Sequence, residues 1–258
     1  MATTDWSSAQ YGRFLDERTR PAHDLLARVQ VDGSGPLADL GCGPGNSAAV
    51  LLQRWPGAEV DAFDSSPDML ATARASNPAV NWFQCDVQDW QPQRAYQLIF
   101  SNAVLHWVPD HELLLPRLMG YLQADGALAV QVPAHHDSVL HRELVAASLD
   151  SPWEDEMASA RAGLSPATPV FYYDVLAPVC RHIDIWETCY FHRMDGSRDI
   201  LEWVRGTALR PFLAALPHDE AREMFAGELL RRLQNRFPAH ADGRVLLPFK
   251  RLFFVAYR

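Results

Sequence analysis

The stretch Ala38-Asp39-Leu40-Gly41-Cys42-Gly43-Pro44-Gly45-Asn46 decides the fold: a short apolar run enters a glycine-rich turn, and a helix-like segment follows. Glycine lets the backbone turn tightly and approach a ligand closely, and the helix start offers N–H groups with no partner inside the helix. The spacing is D-x-G-x-G-x-G, with an acid two residues before the first glycine. A nicotinamide-dinucleotide fingerprint, G-x-G-x-x-G, needs a third glycine at position 46, which is Asn46. A carboxylate at Asp39 suits a cationic ligand better than a pyrophosphate.

Outward from this turn, the first 130 residues alternate short apolar runs with amphipathic stretches, the pattern of βαβ units. Strands are expected at Leu37–Leu40, Glu59–Phe63, Asn81–Gln84, Leu98–Ser101 and Ala127–Val132, each short and apolar as parallel strands covered on both faces should be. Helices are expected over 46–55, 67–76 and 110–122. Ser66-Pro67 supplies a cap and first turn, and Asp125-Gly126 a turn before the fifth strand. A helix over 138–149 then leads into the irregular, proline-rich Ser151–Pro169. His182–His192 alternates with period two, residues 198–237 read as helices broken at Pro211 and Pro217, and Arg244–Arg258 ends in a strong strand. The fold class is α/β: a sheet of about seven strands with a helical insertion before the last one.

The 258 residues are 48% apolar and 21% charged, enough to bury a sizeable core. No apolar run approaches the roughly eighteen residues a spanning helix needs. The start lacks a basic segment followed by an apolar one, so no signal peptide is expected. Cys42, Cys85, Cys180 and Cys189 lie far apart, with no CxxC and no histidines at zinc spacing. Reduced thiols in the cytoplasm are expected, and no metal centre. A net charge of −9 disfavours nucleic acid or an anionic membrane as partner. The balance is uneven: residues 190–258 carry 12 Lys+Arg against 8 Asp+Glu, and 1–189 carry 11 against 24. The basic last quarter is either a solvated helix face or an anion site.

Further candidates sit at the strand ends. Asp64, in Phe63-Asp64-Ser65-Ser66-Pro67-Asp68-Met69-Leu70, can accept hydrogen bonds from both hydroxyls of a ribose, the capping role falling to Ser65 and Ser66. Met69 suits either an adenine face or the core. Asp86 can accept from an adenine exocyclic amine while the Val87 N–H reaches a ring nitrogen. The fourth strand ends in Phe100-Ser101-Asn102-Ala103-Val104-Leu105-His106-Trp107, beside the first, at the switch point where open α/β sheets bind ligands.

The series D-L-G-C-G-P-G, F-D-S-S-P-x-M-L, C-D-V and F-S-N-A over roughly residues 36–133 resembles the class I S-adenosylmethionine-dependent methyltransferases. The opening W-x-x-x-x-Y-x-x-F-x-x-x-R-x-R-P, the segments L-x-W-V-P-D-H, A-V-Q-V-P and D-I-W-x-T, and the ending L-x-x-F-x-R-L-F-x-V-A are similar to the branch that methylates trans-aconitate. The resemblance implies a Rossmann-like, mostly parallel seven-stranded sheet with helices on both faces, in a single domain over 1–258. It implies an N-terminal helical lid over 1–30, a cofactor-binding core over 36–133, substrate-capping helices and the sixth strand over 138–244, and the last strand over 245–258. S-adenosyl-L-methionine is the implied cofactor. The Gly41, Cys42 and Gly43 backbone, above Asp39, would pass the methionine moiety. Asp64 would hold the ribose, Ser65 and Met69 the adenosine edge, and Asp86 and Val87 the adenine. Asn102 would accept from the methionine amine with Trp107 nearby, Arg20 would pair with its carboxylate, and Tyr11 would close the lid. The implied reaction esterifies a carboxylate of trans-aconitate or a similar small polycarboxylic acid, an anionic partner. Candidates for gripping the other carboxylates are Arg210, Lys250 and Arg251, with Tyr172, Tyr173 and His106 as neutral donors. The alternatives are a class I methyltransferase acting on another acid, oxygen or nitrogen, a nucleotide-binding oxidoreductase, and a non-catalytic cofactor-binding module.

Overall fold

The computed structural model describes residues 15–134, 137–162 and 168–258. Five strands lie side by side in parallel register: β1 (Leu37–Leu40), β2 (Val60–Asp64), β3 (Asn81–Gln84), β4 (Tyr96–Asn102) and β5 (Leu122–Pro133). Helices join them: α2 (Asn46–Arg54), α3 (Pro67–Ser76) and α4 (His111–Gly120), after an initial α1 (Leu15–Leu26). With β6 (His182–Met194) and β7 (Val245–Tyr257) the sheet order is β3-β2-β1-β4-β5-β7-β6. β7 departs from the parallel pattern. Arg258 N–H bonds Gly126 O and Ala134 N–H bonds Lys250 O, so β7 runs antiparallel to β5.

Why each strand sits where it does follows from its residues. All four residues of β1 are buried, the signature of a central strand covered on both faces. β3 was expected to be equally apolar, yet Asn81, Phe83 and Gln84 are exposed. Its place at the sheet edge explains the difference, because one side has no neighbour. Asp125-Gly126 does not precede the fifth strand but lies within it. The pairing steps from Tyr96↔Leu122 to Leu98↔Ala127, and Asp125 takes up the bulge with φ 62°.

The chain divides into two compact units. The first holds the described residues of Met1–Pro133, Ala167–Glu187 and Leu252–Arg258; the second holds those of Ala134–Pro166 and Thr188–Arg251. In the first, the end of α1 is tied down by Arg54, which donates to Leu26 O and to Val29 O (2.8 Å). Thr168 caps α7 (Pro169–Leu176) by accepting from Phe171 N at 3.1 Å, a helix with no counterpart in the expected elements. The second unit contains α5 (Val139–Leu149), α6 (Ala158–Ala162), α8 (Ser197–Arg205), α9 (Arg210–Ala215) and α10 (Asp219–Arg236), with α10 packed on α5 and α8. Pro211 was expected to break a helix; it stands in the first turn of α9, where its missing N–H costs nothing. Pro217 does separate α9 from α10.

Candidate functional site

Beneath the glycine turn, Asp39 is fully buried and accepts from Ser47 Oγ at 2.6 Å, fastening the first turn of α2 to β1. Burial pushes its carboxyl up to about 7. Above it, the N–H groups of Gly41 and Cys42 both donate to Phe63 O, at 2.8 and 3.0 Å. Gly41 has φ +70°, and a Cβ there would run into the Val104 methyls. Gly43 has φ +54°, but a Cβ there would meet nothing within 4 Å. The first position needs glycine for packing; the second leaves open space in front of the turn. The neighbouring Cys42 thiol is buried, and burial with Asp39 and Asp64 nearby pushes its ionisation far above the usual range.

The protonation of Asp39 makes a stability prediction. An acid whose folded pKa is raised binds its proton more readily folded than unfolded, so stability declines as pH rises from about 4 to about 7. Asp39→Asn keeps an acceptor for Ser47 without the buried charge. It should flatten that decline by about 1–3 kcal/mol between pH 5 and pH 8, read from urea midpoints.

Asp64 ends β2, and both its oxygens hold the surrounding backbone. Oδ2 accepts from Gly43 N at 2.8 Å and Oδ1 from Ser66 N at 2.9 Å. Each carboxylate oxygen has a second lone pair, so the group can take two more donors. Burial raises its pKa despite those two amides. Ser66 alone caps α3, accepting from Met69 N at 3.4 Å; Ser65 is exposed, and its carbonyl accepts from Gln84 Nε2 at 3.3 Å. The Met69 side chain lies in the core at 3% exposure.

After β3, Asp86 is exposed and forms an Asx turn, accepting from Gln88 N at 2.8 Å. Arg117 on α4 clamps this turn by donating to Gln88 O at 2.8 Å and Val87 O at 3.0 Å. Sequence reasoning missed Arg117, because a lone arginine in a last helical turn is indistinguishable from one that complements the helix dipole. Ser47 was missed for a similar reason.

Beyond β4, Asn102 pairs in register with Gln131, and Ala103 adopts φ 60° while its N–H bonds Gln131 O at 2.9 Å. A 3-10 turn, Leu105–Trp107, follows; its His106 and Trp107 rings lie 4.7 Å apart, and Trp107 is exposed. The ends of β1, β2, β3 and β4 thus bring Asp39, Gly41, Cys42, Gly43, Asp64, Asp86, Val87 and Asn102 to one edge of the sheet, where β1 lies between β2 and β4. That is the switch point of an open α/β sheet.

The remaining candidates are distributed differently. Tyr172 was expected to offer its hydroxyl to a substrate. It is fully buried instead, packed on Phe254 at 4.9 Å, with its hydroxyl 3.2 Å from His111 Nδ1. Tyr173 is exposed, as is Arg20 on α1. Arg210 opens α9 and is half-buried, as is Lys250 on β7. Arg251 is buried, its guanidinium 4.9 Å from the Phe249 ring. Tyr11 lies outside the described residues. Among the described residues, no group of three or more His, Cys, Asp or Glu side chains could hold a metal, and no helix is long and apolar enough to cross a membrane.

A methyltransferase-domain family matches residues 37–126, the segment that carries these strand ends. Among solved structures, the YcgJ protein from Bacillus subtilis superposes with TM-score 0.58 at 11% identity, covering 93% of this chain and 98% of that one. Haemonchus contortus phosphoethanolamine N-methyltransferase 2, in complex with S-adenosyl-L-methionine, gives TM-score 0.58 at 17% identity over 93% of this chain and 52% of that one. Both are similar in fold. In sequence, the trans-aconitate 2-methyltransferase of Azoarcus sp. (strain BH72) is 46% identical over 253 residues, 98% of this chain and 99% of the relative. That of Methylobacterium radiotolerans is 46% identical over 258 residues, 98% of each chain. With such identity over nearly the full length of both chains, this chain belongs to the family of trans-aconitate 2-methyltransferases.

Proposed function

We propose that the protein transfers the methyl group of S-adenosyl-L-methionine to a carboxylate oxygen of trans-aconitate, giving a monomethyl ester. One observation carries the cofactor half: Asp64 holds the backbone of Gly43 and Ser66 while keeping a lone pair on each oxygen, beside the open face of Gly43. Those acceptors fit the two hydroxyls of a nucleoside diol. Asp86 and the Val87 N–H, held by Arg117, would meet the adenine, with Ser65 along its edge; Met69, expected there too, packs in the core instead. Asn102 and Trp107 would lie toward the methionine end, and Tyr11 and Arg20 would belong to a lid over 1–30. When bound, the cofactor supplies an electrophilic methyl group on a sulfonium.

The chain's own residues position and protect. A carboxylic substrate with pKa near 4 is ionised at neutral pH, so no side chain has to remove a proton. The work left is alignment and exclusion of water. The Cys42 thiol, held protonated by burial and two nearby acids, is a poor competitor for the methyl group.

The carboxylates that do not react would be gripped by Arg210, Lys250 and Arg251, with Tyr173 and His106 as neutral donors. Support comes from the 12 basic against 8 acidic residues over 190–258, in a chain of net charge −9 that otherwise repels a trianion. Arginine's fork donates twice to one carboxylate. Arg210→Gln and Arg251→Gln should each lower kcat/KM for trans-aconitate by about 1.5–3 kcal/mol while S-adenosylhomocysteine affinity stays the same. Wild-type kcat/KM in both folded variants would place the grip elsewhere. A small anionic substrate, no nucleic-acid partner and a cytoplasmic setting complete the proposal, supported by the net charge and four free thiols. Labelled cofactor offered with a panel of small acids tests the whole: an alkali-labile labelled product from trans-aconitate supports it, and label transferred only to another acceptor overturns it.

A further inference from the structure

Tyr172 and His111 are joined by a hydrogen bond that the mechanism above does not use, and the chain of contacts runs on into the candidate site. His111 begins α4, and its Nε2 lies 2.7 Å from the carbonyl oxygen of Leu105. A carbonyl only accepts, so Nε2 carries a proton, and in the neutral ring Nδ1 then presents a lone pair. The Tyr172 hydroxyl, 3.2 Å from Nδ1, is therefore the donor there. Leu105 O also accepts from Val108 N at 2.9 Å, so both its lone pairs are used. Leu105 is itself fully buried, and it starts the 3-10 turn that carries His106 and Trp107.

That turn closes on itself, Trp107 N–H bonding Val104 O at 2.9 Å, and packs against β5. It follows Ala103, whose positive φ is unusual for a residue with a side chain, and Val104, whose methyls press on Gly41. A turn entered through strain needs an anchor on its far side. Tyr172 supplies the rigid end of that anchor: it is wholly buried, packed on Phe254, and α7 packs against α4. A phenol buried this deeply needs a partner for its proton, and burial pushes its ionisation well up.

We infer that Tyr172 and His111 form a positioning pair, in which the tyrosine O–H holds His111 with its proton on Nε2 and His111 in turn pins the Leu105–Trp107 turn at the wall of the active site. Both act through the Leu105 carbonyl, Tyr172 from a fully buried position. The kinetic consequence rests on the proposed methyl transfer, since alignment is what that reaction leaves to the protein. The hydrogen-bond arrangement does not rest on it.

The test has two arms on the full-length protein. In the first, nitrogen NMR of the histidine rings should show His111, identified by signals lost in His111→Gln, as a neutral ring protonated at Nε2. Its Nδ1 signal should move in Tyr172→Phe. In the second, with trans-aconitate, Tyr172→Phe should lower kcat about fivefold and His111→Ala about thirtyfold, with S-adenosylhomocysteine affinity within about twofold of wild type. His111→Gln, whose amide can still donate to Leu105 O, should recover most of the loss. The double variant should be no slower than His111→Ala alone, because the tyrosine acts only through the histidine. A His111 ring protonated at Nδ1, a folded Tyr172→Phe enzyme with wild-type kcat, or additive losses would each overturn the pair. If the wild type fails to methylate trans-aconitate, the functional proposal falls, and the ring-nitrogen spectrum alone decides the pair.

Discussion

Asp64→Ala should weaken S-adenosylhomocysteine binding by about 2–3 kcal/mol, roughly a hundredfold in Kd. Two effects add. The ligand's two hydroxyls lose a charged acceptor, and the amides of Gly43 and Ser66 lose the oxygens that now hold them at 2.8 and 2.9 Å. The second effect loosens the glycine turn itself, so some loss of folding stability should accompany the loss of affinity. Asp64→Asn separates them: its single oxygen can satisfy one amide, but its NH2 faces the other. A pH titration gives an independent check. Only the ionised carboxylate offers every lone pair, and burial raises its pKa. Wild-type affinity should therefore fall on acidification sooner than an ordinary aspartate would allow. Isothermal calorimetry showing unchanged affinity in a folded Asp64→Ala protein would remove Asp64 from the site.

The glycine turn should respond to alanine in two opposite ways. Gly41→Ala combines a positive φ with a Cβ driven into Val104, and should cost about 2–5 kcal/mol of stability. Its backbone N–H would also be pulled from Phe63 O, taking the whole turn with it. Gly43→Ala pays only for φ +54°, about 1 kcal/mol, because nothing lies within 4 Å of the new methyl. That methyl would project into space a ligand needs, so cofactor affinity should drop at least tenfold in a protein that melts almost normally. Thermal melts and calorimetry on both variants check the contrast. Equal stability losses, or full affinity in Gly43→Ala, would show that the space in front of the turn is not used.

Much of this architecture was legible locally. The apolar tetrapeptide Leu37–Leu40, the break at Gly41 and the Ser66-Pro67 start gave β1, the turn and α3 within a residue, because short-range sterics and caps act over three or four positions. The acids and the asparagine at the ends of β1 to β4 could be placed at one sheet edge for the same reason: parallel register puts successive strand ends together. By itself, then, the sequence determined the parallel core and the set of side chains along its carboxyl-end edge.

Partnership between distant side chains was decided only by tertiary packing. Nothing in the neighbours of Tyr172 says that it is fully buried and hydrogen-bonded to His111, sixty-one positions away, and a tyrosine beside an exposed Tyr173 reads equally as a surface donor. Arg117 clamps carbonyls about thirty residues earlier, and Ser47 reaches back under the turn to Asp39. The antiparallel insertion of β7 between β5 and β6 and the bulge at Asp125 depend on which strand edges are left to pair. Periodicity and turn chemistry record how one segment meets water and its own backbone. Which buried polar group satisfies which other is settled when the elements pack, because the cost of an unmet hydrogen bond is felt only in the assembled interior.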